Sequence, residues 1–335
     1  MDMLVLNVVI SFIVTFFLIR LFIAKASTLG LIDNPNDRSA HTVPIPRGAG
    51  IVFGFITLVG MGVFQYLHES YYPYAFIALF LVYLTGVYDD FYDSSARNKF
   101  IFIIIATVIA YLDGFEITSL GNYFGYELSL GYLTLPFTIF AVLGFTNAVN
   151  LSDGLDGLAG SISMIILSSL LYIGIEYDDV LLTCLPIIII STLLAFLYFN
   201  WYPAKVFMGD SGSLFLGFTL SLLSIYALKY INPASILFLA AIPLLDTLIV
   251  MSRRKQRKQS LFVADKNHLH HILLNFKKNK LFTVYSLAKL QAVFGLIFIQ
   301  VHDKSDTINL LLFAILFVIF FNLFDPRMRH RGKRK

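Results

Sequence analysis

The chain of 335 residues is 58% hydrophobic and only 14% charged, with a mean hydropathy of +0.77 and a formal net charge of +4. Soluble domains carry about 25% charged residues, so this composition excludes an ordinary water-soluble protein. Apolar stretches close to membrane-spanning length recur along the whole chain, which indicates that much of the surface faces lipid. The single cysteine, Cys184, excludes an internal disulfide and a cysteine-based metal site.

The apolar stretches predict an all-α, multi-pass membrane protein, organised as one domain over residues 1–335 with about eleven transmembrane helices. The sequence contains no internal repeat and no polar stretch long enough for a separate soluble domain. In chain order, the predicted spans are residues 4–24, 50–67, 73–88, 99–112, 134–149, 157–175, 180–199, 211–229, 235–251, 284–301 and 307–324.

Lysine and arginine are unevenly distributed between the predicted loops. If the N-terminus lies outside, 20 of the 25 Lys and Arg residues fall on the inside. The inside segments are then 25–49, 89–98, 150–156, 200–210, 252–283 and 325–335. Because positive residues are retained on the cytoplasmic side, this bias predicts an N-outside, C-inside topology. The outside loop 113–133 predicts a small periplasmic β-hairpin, and the basic tail 325–335 predicts an anchor to anionic lipid rather than a nucleic-acid site.

The unusual polar residues all fall on the side just predicted to be cytoplasmic, although the acidic residues and histidines among them were not used to set the orientation. In the loop before the second span, Arg38 and His41 are cations suited to phosphates, with an ordinary polar loop as the alternative. Asp89 and Asp90 end the third span. Two carboxylates about 5 Å apart repel by roughly 3 kcal/mol at an effective dielectric of about 20, which favours a role with a cation or in proton transfer. A solvated helix end is the plainer alternative.

A third cluster follows the fifth span, where Asn150, Asp153 and Asp156 are spaced by three and interleaved with glycines. On a helix these side chains would line one side of a pocket, with Asn147 one turn earlier. Their oxygen atoms are hard ligands that suit Mg²⁺ or Mn²⁺. A fourth cluster, centred on Asp210, opens the eighth span with small residues. Such a helix start exposes backbone N–H groups to a phosphate, and a carboxylate beside that phosphate requires a bridging metal.

The longest inside loop carries a fifth cluster. Asp246 lies within the ninth span, and an intramembrane carboxylate is a functional candidate, with a buried hydrogen bond as the alternative. A basic run that includes Arg254 follows, and then His268, His270 and His271. Three histidines in four residues suit zinc or an anionic phosphate. Because no second cluster of cysteine and histidine supports a closed zinc site, the sequence favours phosphate.

Taken together, these motifs resemble the polyprenyl-phosphate N-acetylhexosamine-1-phosphate transferases, from about residue 30 to 275 and in the family's order. The most specific strings are Asn-x-x-Asn-x-x-Asp-Gly-x-Asp-Gly-Leu, at 147–158, and Phe-x-Gly-Asp-x-Gly-Ser, at 207–213. The resemblance implies transfer of a sugar-1-phosphate from a UDP-N-acetylhexosamine to undecaprenyl phosphate, with release of UMP. It also implies an enzyme in the bacterial inner membrane whose active site faces the cytoplasm, with a homodimer possible and no nucleic-acid partner.

The same resemblance assigns roles to individual residues. It implies Asn150 and Asp210 as ligands of Mg²⁺, with Mn²⁺ as a possible substitute. The implied catalytic residues are Asp89, Asp90, Asp153 and Asp156. The implied substrate-binding residues are Arg38, His41, Asn147, Asp246, Arg254, His268, His270 and His271.

The His-Leu-His-His form is similar to the GlcNAc-1-phosphate transferase branch, whereas the MurNAc-pentapeptide translocases carry a contiguous histidine triplet. GlcNAc-1-phosphate is therefore the expected group, feeding an envelope polysaccharide such as O-antigen. The segment 41–50 also resembles initiators that accept FucNAc or QuiNAc, so those sugars stay open. Intramembrane prenyltransferases need a second acidic motif, and CDP-alcohol phosphotransferases need Ala-Arg soon after Asp-Gly; this chain has neither. A transporter is the alternative of a different class, although transporters place charges near the bilayer midplane.

Overall fold

The computed structural model describes residues 2–35, 42–68, 72–258 and 268–324. Over these ranges the chain forms thirteen α-helices and four short strands. The helices are α1 (Asp2–Lys25), α2 (Gly50–His68), α3 (Pro73–Tyr92), α4 (Ala96–Tyr111), α5 (Thr134–Ser152), α6 (Leu158–Glu176), α7 (Val180–Asn200), α8 (Asp210–Ala227), α9 (Ile236–Leu239), α10 (Ala241–Gln256), α11 (Leu269–Lys277), α12 (Lys280–Val301) and α13 (Asp306–Leu323). The strands are β1 (Ile32–Asp33), β2 (Ile45–Pro46), β3 (Ser119–Tyr123) and β4 (Tyr126–Ser129).

Each of the eleven predicted spans overlaps a helix of the structure. Within the described ranges, seven helices are long and apolar enough to cross a membrane, and an eighth crossing results if Pro233–Leu239 and Ala241–Gln256 are counted together. The protein is therefore a mostly helical, multi-pass membrane protein. The count of eleven crossings and the N-outside orientation stay predictions.

The ninth predicted span is the one that is broken, because α9 and α10 meet at 91°. Gln291 on α12 is fully buried beside this break. Its Nε2 donates to the carbonyl of Leu239 at 2.8 Å, and its Oε1 accepts from the N–H of Ile242 at 3.0 Å. One side chain thus satisfies two backbone groups next to the break, and buried groups of this kind are costly when left unpaired.

Helix α8 lies in the centre of the bundle, and every residue from Ser211 to Ala227 is buried. Neighbouring helices approach it closely because small residues face one another. A Cβ added to Gly50 of α2 would lie 2.0 Å from the backbone nitrogen of Gly212. Glycine pairs of this kind are a common way for helices to pack in membranes, where lipid tails supply no hydrophobic drive for association. The packing therefore sets the position of the N-terminus of α8 firmly.

The hairpin predicted in loop 113–133 is confirmed, since β3 and β4 pair in antiparallel fashion with an irregularity in their register. Asp306 of α13 holds this hairpin to the helices. Its carboxylate accepts from the N–H of Asn122 at 2.8 Å and from the N–H of Ala234 at 2.9 Å. A second pairing, between β1 and β2, was not predicted and orders the chain before α2.

Candidate active site

The polar end of α3 meets the start of α8 through Asp90, a residue that is only 4% exposed. Its two carboxylate oxygens accept from the backbone N–H groups of Asp210, at 2.8 Å, and Ser211, at 3.1 Å. Gly209 precedes this turn with φ of 73°, and a Cβ there would lie 2.5 Å from Asp90 Oδ1. A carboxylate at a helix N-terminus is favoured by the helix dipole, so Asp90 fixes where α8 begins.

This contact corrects one expectation from the sequence, that the N-terminus of α8 would offer its N–H groups to a phosphate. The first two N–H groups donate to Asp90, and those of Gly212 and Ser213 donate to the carbonyl of Gly209. The carboxylate of Asp90 therefore occupies the position at the start of α8 where the sequence predicted a phosphate. Phosphate binding near this helix has to come from side chains or from a metal.

Asp89, one residue earlier, points to a different partner because adjacent residues on a helix do not face the same way. It accepts from Lys99 Nζ at 2.8 Å and from Ser94 Oγ at 2.8 Å. Lys99, in the first turn of α4, also pairs with Asp210. A single half-buried cation thus joins the carboxylates of two helices, which offsets part of their mutual repulsion.

Asn150, in the last turn of α5, reaches the same carboxylate from the other side. Its Nδ2 donates to Asp210 Oδ1 at 3.1 Å and to Ser213 Oγ at 2.7 Å. The two residues that the family resemblance implies as metal ligands are therefore neighbours, with the amide nitrogen of Asn150 facing the carboxylate. Asn147 lies one turn earlier on the same helix, half-buried.

The loop between α5 and α6 departs from the helical arrangement considered for Asn150, Asp153 and Asp156. Helix α5 ends at Ser152, and Gly157 starts the next helix with φ of 80°, so only Asn150 is helical. The glycines at this point break the helix, and the two aspartates lie in the connecting turn. The expectation that all three share one helical face is wrong, although the turn still holds them near α8.

The carboxylates of this loop have very different surroundings. Asp156 Oδ2 accepts from the N–H of Ala204 at 3.2 Å, which ties the loop to the segment after α7. Asp153 accepts no hydrogen bond from any residue that the structure describes. Burial, followed by the negative charges of Asp210 and Asp90, raises the pKa of Asp153 well above its usual value. Burial and the negative charges of the site therefore both disfavour ionisation of Asp153.

The histidine segment reaches the site through Asp246, which is 5% exposed on α10. One carboxylate oxygen lies 2.8 Å from His268 Nδ1, and the other accepts from the N–H of Leu269 at 2.7 Å. Asp246 thus caps α11 and orients the ring of His268. The buried hydrogen bond that was the plainer alternative for Asp246 is present, and it serves to place the histidines.

His270 lies against the loop between α5 and α6. A Cβ added to Gly154 would lie 2.4 Å from His270 Nε2, so glycine is needed for this approach. The rings of His270 and His271 are 4.2 Å apart between centroids. Burial, with the nearby His271, lowers the pKa of His270 to about 3, so this ring is neutral near pH 7. The histidine segment and the aspartate-bearing loop, which are far apart in the chain, therefore meet.

Further arginines lie on segments that adjoin the site. Arg254 is 6% exposed near the end of α10, and its neighbour Arg253 donates to the carbonyl of Phe321 at 2.8 Å. Arg47 bonds to Asp93 at 2.8 Å, which ties the segment before α2 to the end of α3. Arg38 and His41 lie outside the described residues, as does the basic tail 325–335.

Sequence reasoning missed two residues of the site. Lys99 was given no role from the sequence, and Ser213 appeared only as the last residue of the string at 207–213. Lysine in the first turn of an apolar segment, ten positions after an aspartate pair, was the available signal, because a membrane-buried cation needs an anionic partner.

The donor set fits a magnesium ion better than zinc. Among the described residues, no three His, Cys, Asp or Glu side chains converge as a group able to hold a metal by themselves. Mg²⁺ is commonly bound through one or two carboxylates, with waters and substrate phosphates completing its coordination. The Asp210 carboxylate, the amide of Asn150 beside it and the Asp153 carboxylate of the neighbouring loop are a donor set of that kind.

Comparison with known proteins agrees with this geometry. Residues 72–228, which contain the aspartate pair, Lys99 and the α8 start, match the family described as Glycosyl transferase family 4. A probable undecaprenyl-phosphate N-acetylglucosaminyl 1-phosphate transferase of Bacillus subtilis is 33% identical, covering 96% of this chain and 92% of the relative. The undecaprenyl-phosphate alpha-N-acetylglucosaminyl 1-phosphate transferase of Yersinia pestis is 30% identical, and the match covers 100% of this chain and 99% of the relative. The enzyme of the same name from Escherichia coli K12 is 29% identical, and the match covers 96% of this chain and 91% of the relative.

The resemblance drawn from the motifs is thereby confirmed over nearly the whole chain. Both the family match and the relatives extend well beyond the short strings that first indicated it. This chain belongs to glycosyl transferase family 4, the membrane family of polyprenyl-phosphate N-acetylhexosamine-1-phosphate transferases.

Proposed function

We propose that this protein transfers GlcNAc-1-phosphate from UDP-GlcNAc to undecaprenyl phosphate and releases UMP, in a reaction that depends on Mg²⁺. The observation that carries the proposal is the convergence of Asp89, Lys99, Asp210 and Asn150, from four helices, beside the loop between α5 and α6. A cluster with more carboxylates than cations suits a metal-bound diphosphate. The printed names of the relatives supply the sugar and the lipid.

In the proposed reaction, an oxygen of the lipid phosphate attacks the β-phosphorus of the UDP-sugar. The bond from that phosphorus to the bridging oxygen breaks, and UMP leaves with the bonding electrons. Asn150 and Asp210 would hold a Mg²⁺ ion, which would supply positive charge to offset that of the phosphates. Such transfers need mainly positioning and electrostatic stabilisation, and a lipid phosphate that is already ionised needs no general base.

The contacts of each side chain indicate its role in the proposed reaction. Asn150 and Asp210 are the proposed metal ligands, and Lys99 is placed to balance charge between Asp89 and Asp210. Asp90 is a positioning residue in this scheme, because both of its carboxylate oxygens accept hydrogen bonds from backbone N–H groups at the start of α8. A neutral His270 donates or accepts a single hydrogen bond without adding charge, which suits contact with the sugar or a phosphate oxygen.

The proposed site lies in the bacterial inner membrane and opens to the cytoplasm, and the lipid acceptor and the position of the basic loops support this proposal. UDP-sugars are cytoplasmic, and the loops that carry the site also carry most of the Lys and Arg residues. The product would then start an envelope polysaccharide such as O-antigen. Either a monomer or a homodimer is compatible with a site built within one chain.

A panel of UDP-sugars tests the proposal directly. Purified protein in detergent is mixed with undecaprenyl phosphate, Mg²⁺ and either UDP-GlcNAc, UDP-FucNAc, UDP-QuiNAc or UDP-MurNAc-pentapeptide. UMP release is followed, and the lipid product is identified by mass spectrometry. We expect transfer from UDP-GlcNAc that stops when EDTA removes the metal. Preferential use of another donor would show that GlcNAc is not the sugar transferred. The absence of UMP release with every donor would refute the proposed transferase activity.

A further inference from the structure

A cavity of about 560 Å³ lies outside the site described above, between the turn that joins α11 to α12 and the segment that follows α7. The residues that line it include Tyr202, Asn275, Lys278, Asn279 and Lys280. It lies on the same side of the molecule as the active site, because α11 begins where Asp246 caps it. Nothing in the proposed transfer reaction uses these residues.

The surroundings of this cavity, here called the α12 cleft, are strongly basic. From His268 to His302 the sequence contains no Asp or Glu, and Lys277, Lys278 and Lys280 cluster at the turn. Within the described part of the chain, none of these three lysines takes part in an ion pair. The positive N-terminal end of α12, a helix of 22 residues, faces the same way. The α12 cleft therefore attracts an anion.

Apolar side chains continue from the rim of the cleft along the outside of α12. Tyr202, whose ring lies 5.4 Å from Lys280 Nζ, is 40% exposed, and Tyr285 is 48% exposed. Further along the same helix, Val293 is 52% and Leu296 is 64% exposed. Aromatic and lysine side chains at the end of an apolar helix are typical of the level of the lipid headgroups.

We propose that the α12 cleft binds the headgroup of one anionic phospholipid. The phosphodiester lies between Lys278 and Lys280, and the acyl chains run along the apolar surface of α12. A basic pocket at the cytoplasmic end of membrane helices is the arrangement that selects anionic headgroups. A free phosphate would satisfy the lysines but would leave the adjacent apolar surface without a partner.

Native mass spectrometry tests this proposal without substrate, metal or turnover. The protein is released from detergent in the presence of phosphatidylglycerol or of phosphatidylcholine with the same acyl chains. We expect one phosphatidylglycerol to be retained and phosphatidylcholine to be lost. The double substitution Lys278→Gln/Lys280→Gln should weaken retention of phosphatidylglycerol by about 30-fold, since each lysine near an anionic lipid contributes about a factor of five.

Two matched variants separate the cleft from general charge. Lys25→Gln/Lys258→Gln removes two exposed lysines from the same side of the molecule and should leave retention unchanged, and Lys278→Arg/Lys280→Arg should retain the lipid. The single change Lys280→Gln, with about a fivefold loss expected, decides the question if the double variant does not purify. Equal retention of the two lipids, unchanged retention in the cleft variants, or displacement of the lipid by millimolar inorganic phosphate would overturn the proposal.

Discussion

Buried carboxylates lie at both ends of this helix bundle, and their surroundings differ. At the end that carries the hairpin, Asp179 accepts from the N–H of Leu182 at 2.8 Å and from the hydroxyls of Tyr226 at 3.0 Å and Tyr230 at 2.8 Å. Asp306 likewise accepts two backbone N–H groups. Neutral donors satisfy each carboxylate there.

At the opposite end, the hydrogen-bonding and charge requirements are only partly met. Asp89 and Asp210 share Lys99, and Asp153 accepts no hydrogen bond within the described residues. Buried charge without full compensation is expensive, so it persists where a ligand completes it. The difference teaches that the donors around a carboxylate distinguish those that hold the fold from those proposed to meet a ligand. Variants at each end of the bundle test this separation.

The strongest loss of activity is expected at the proposed metal ligands. Asp210→Ala and Asn150→Ala should each lower Mg²⁺-dependent UMP release by more than about 10³-fold, because each removes an oxygen that would hold the metal. Initial rates at several Mg²⁺ concentrations provide the measurement. Rates near those of the wild type in either variant would remove that residue from the metal site.

Lys99 should come next. Replacing it with Met leaves Asp89 and Asp210 without their shared cation, and we expect the turnover rate to fall about 10²-fold. The substitution Lys99→Arg keeps the charge but not the compact shape of the ammonium group, so it should preserve only part of the activity. Steady-state kinetics of both variants gives the comparison, and full activity in Lys99→Met would show that the pair is only structural.

The close approach of His270 to the loop between α5 and α6 can be disturbed from the loop side. Gly154→Ala adds a Cβ 2.4 Å from His270 Nε2, and we expect about a tenfold loss of kcat/KM as the ring is displaced. Gly144→Ala on α5 is the matched control, since a Cβ there meets nothing within 4 Å. Equal kinetics in the two variants would mean that the position of His270 does not matter for transfer.

At the hairpin end, the same kind of change should affect stability and not chemistry. Asp179→Ala removes the cap of α7 and leaves two tyrosine hydroxyls without their acceptor. We expect a loss of about 1–3 kcal/mol in the free energy of unfolding, seen as a lower Tm, with kcat unchanged below that temperature. A fall in kcat at unchanged Tm would break the division between the two ends.

The smallest effect concerns pH. Burial lowers the pKa of His270 to about 3, from a usual value of 6.5, so the unfolded chain binds more protons between these pH values. This residue therefore contributes stability above about pH 6.5 that is lost progressively as the pH falls, the loss amounting to about 2 kcal/mol at pH 5. Tm measured at pH 5 and pH 7.5 should differ less in His270→Gln than in the wild type. If the Tm difference between the two pH values were the same in both proteins, the His270 ring would be exposed to solvent and not buried.

Much of the fold and part of the site followed from local patterns. Apolar stretches of the right length predicted the helices, because the length of a helix that crosses lipid is set by the bilayer. Alternation and glycine predicted the hairpin. Residue types alone indicated hard oxygen ligands for magnesium at Asn150, Asp153 and Asp156, whereas the pair of Asn150 and Asp210 came from the family resemblance.

Contacts between distant segments required the tertiary structure. The helix dipole of α8 is met by Asp90 and not by a substrate, since packing brings together two residues that are 120 positions apart in the chain. Asp246 orients His268, and Gln291 joins the two halves of a broken helix, through contacts that no spacing rule contains. The sequence by itself thus determined which chemistry the chain carries. Only the packing of glycine-lined helices around α8 decided which carboxylates are satisfied by the protein and which are left for a ligand.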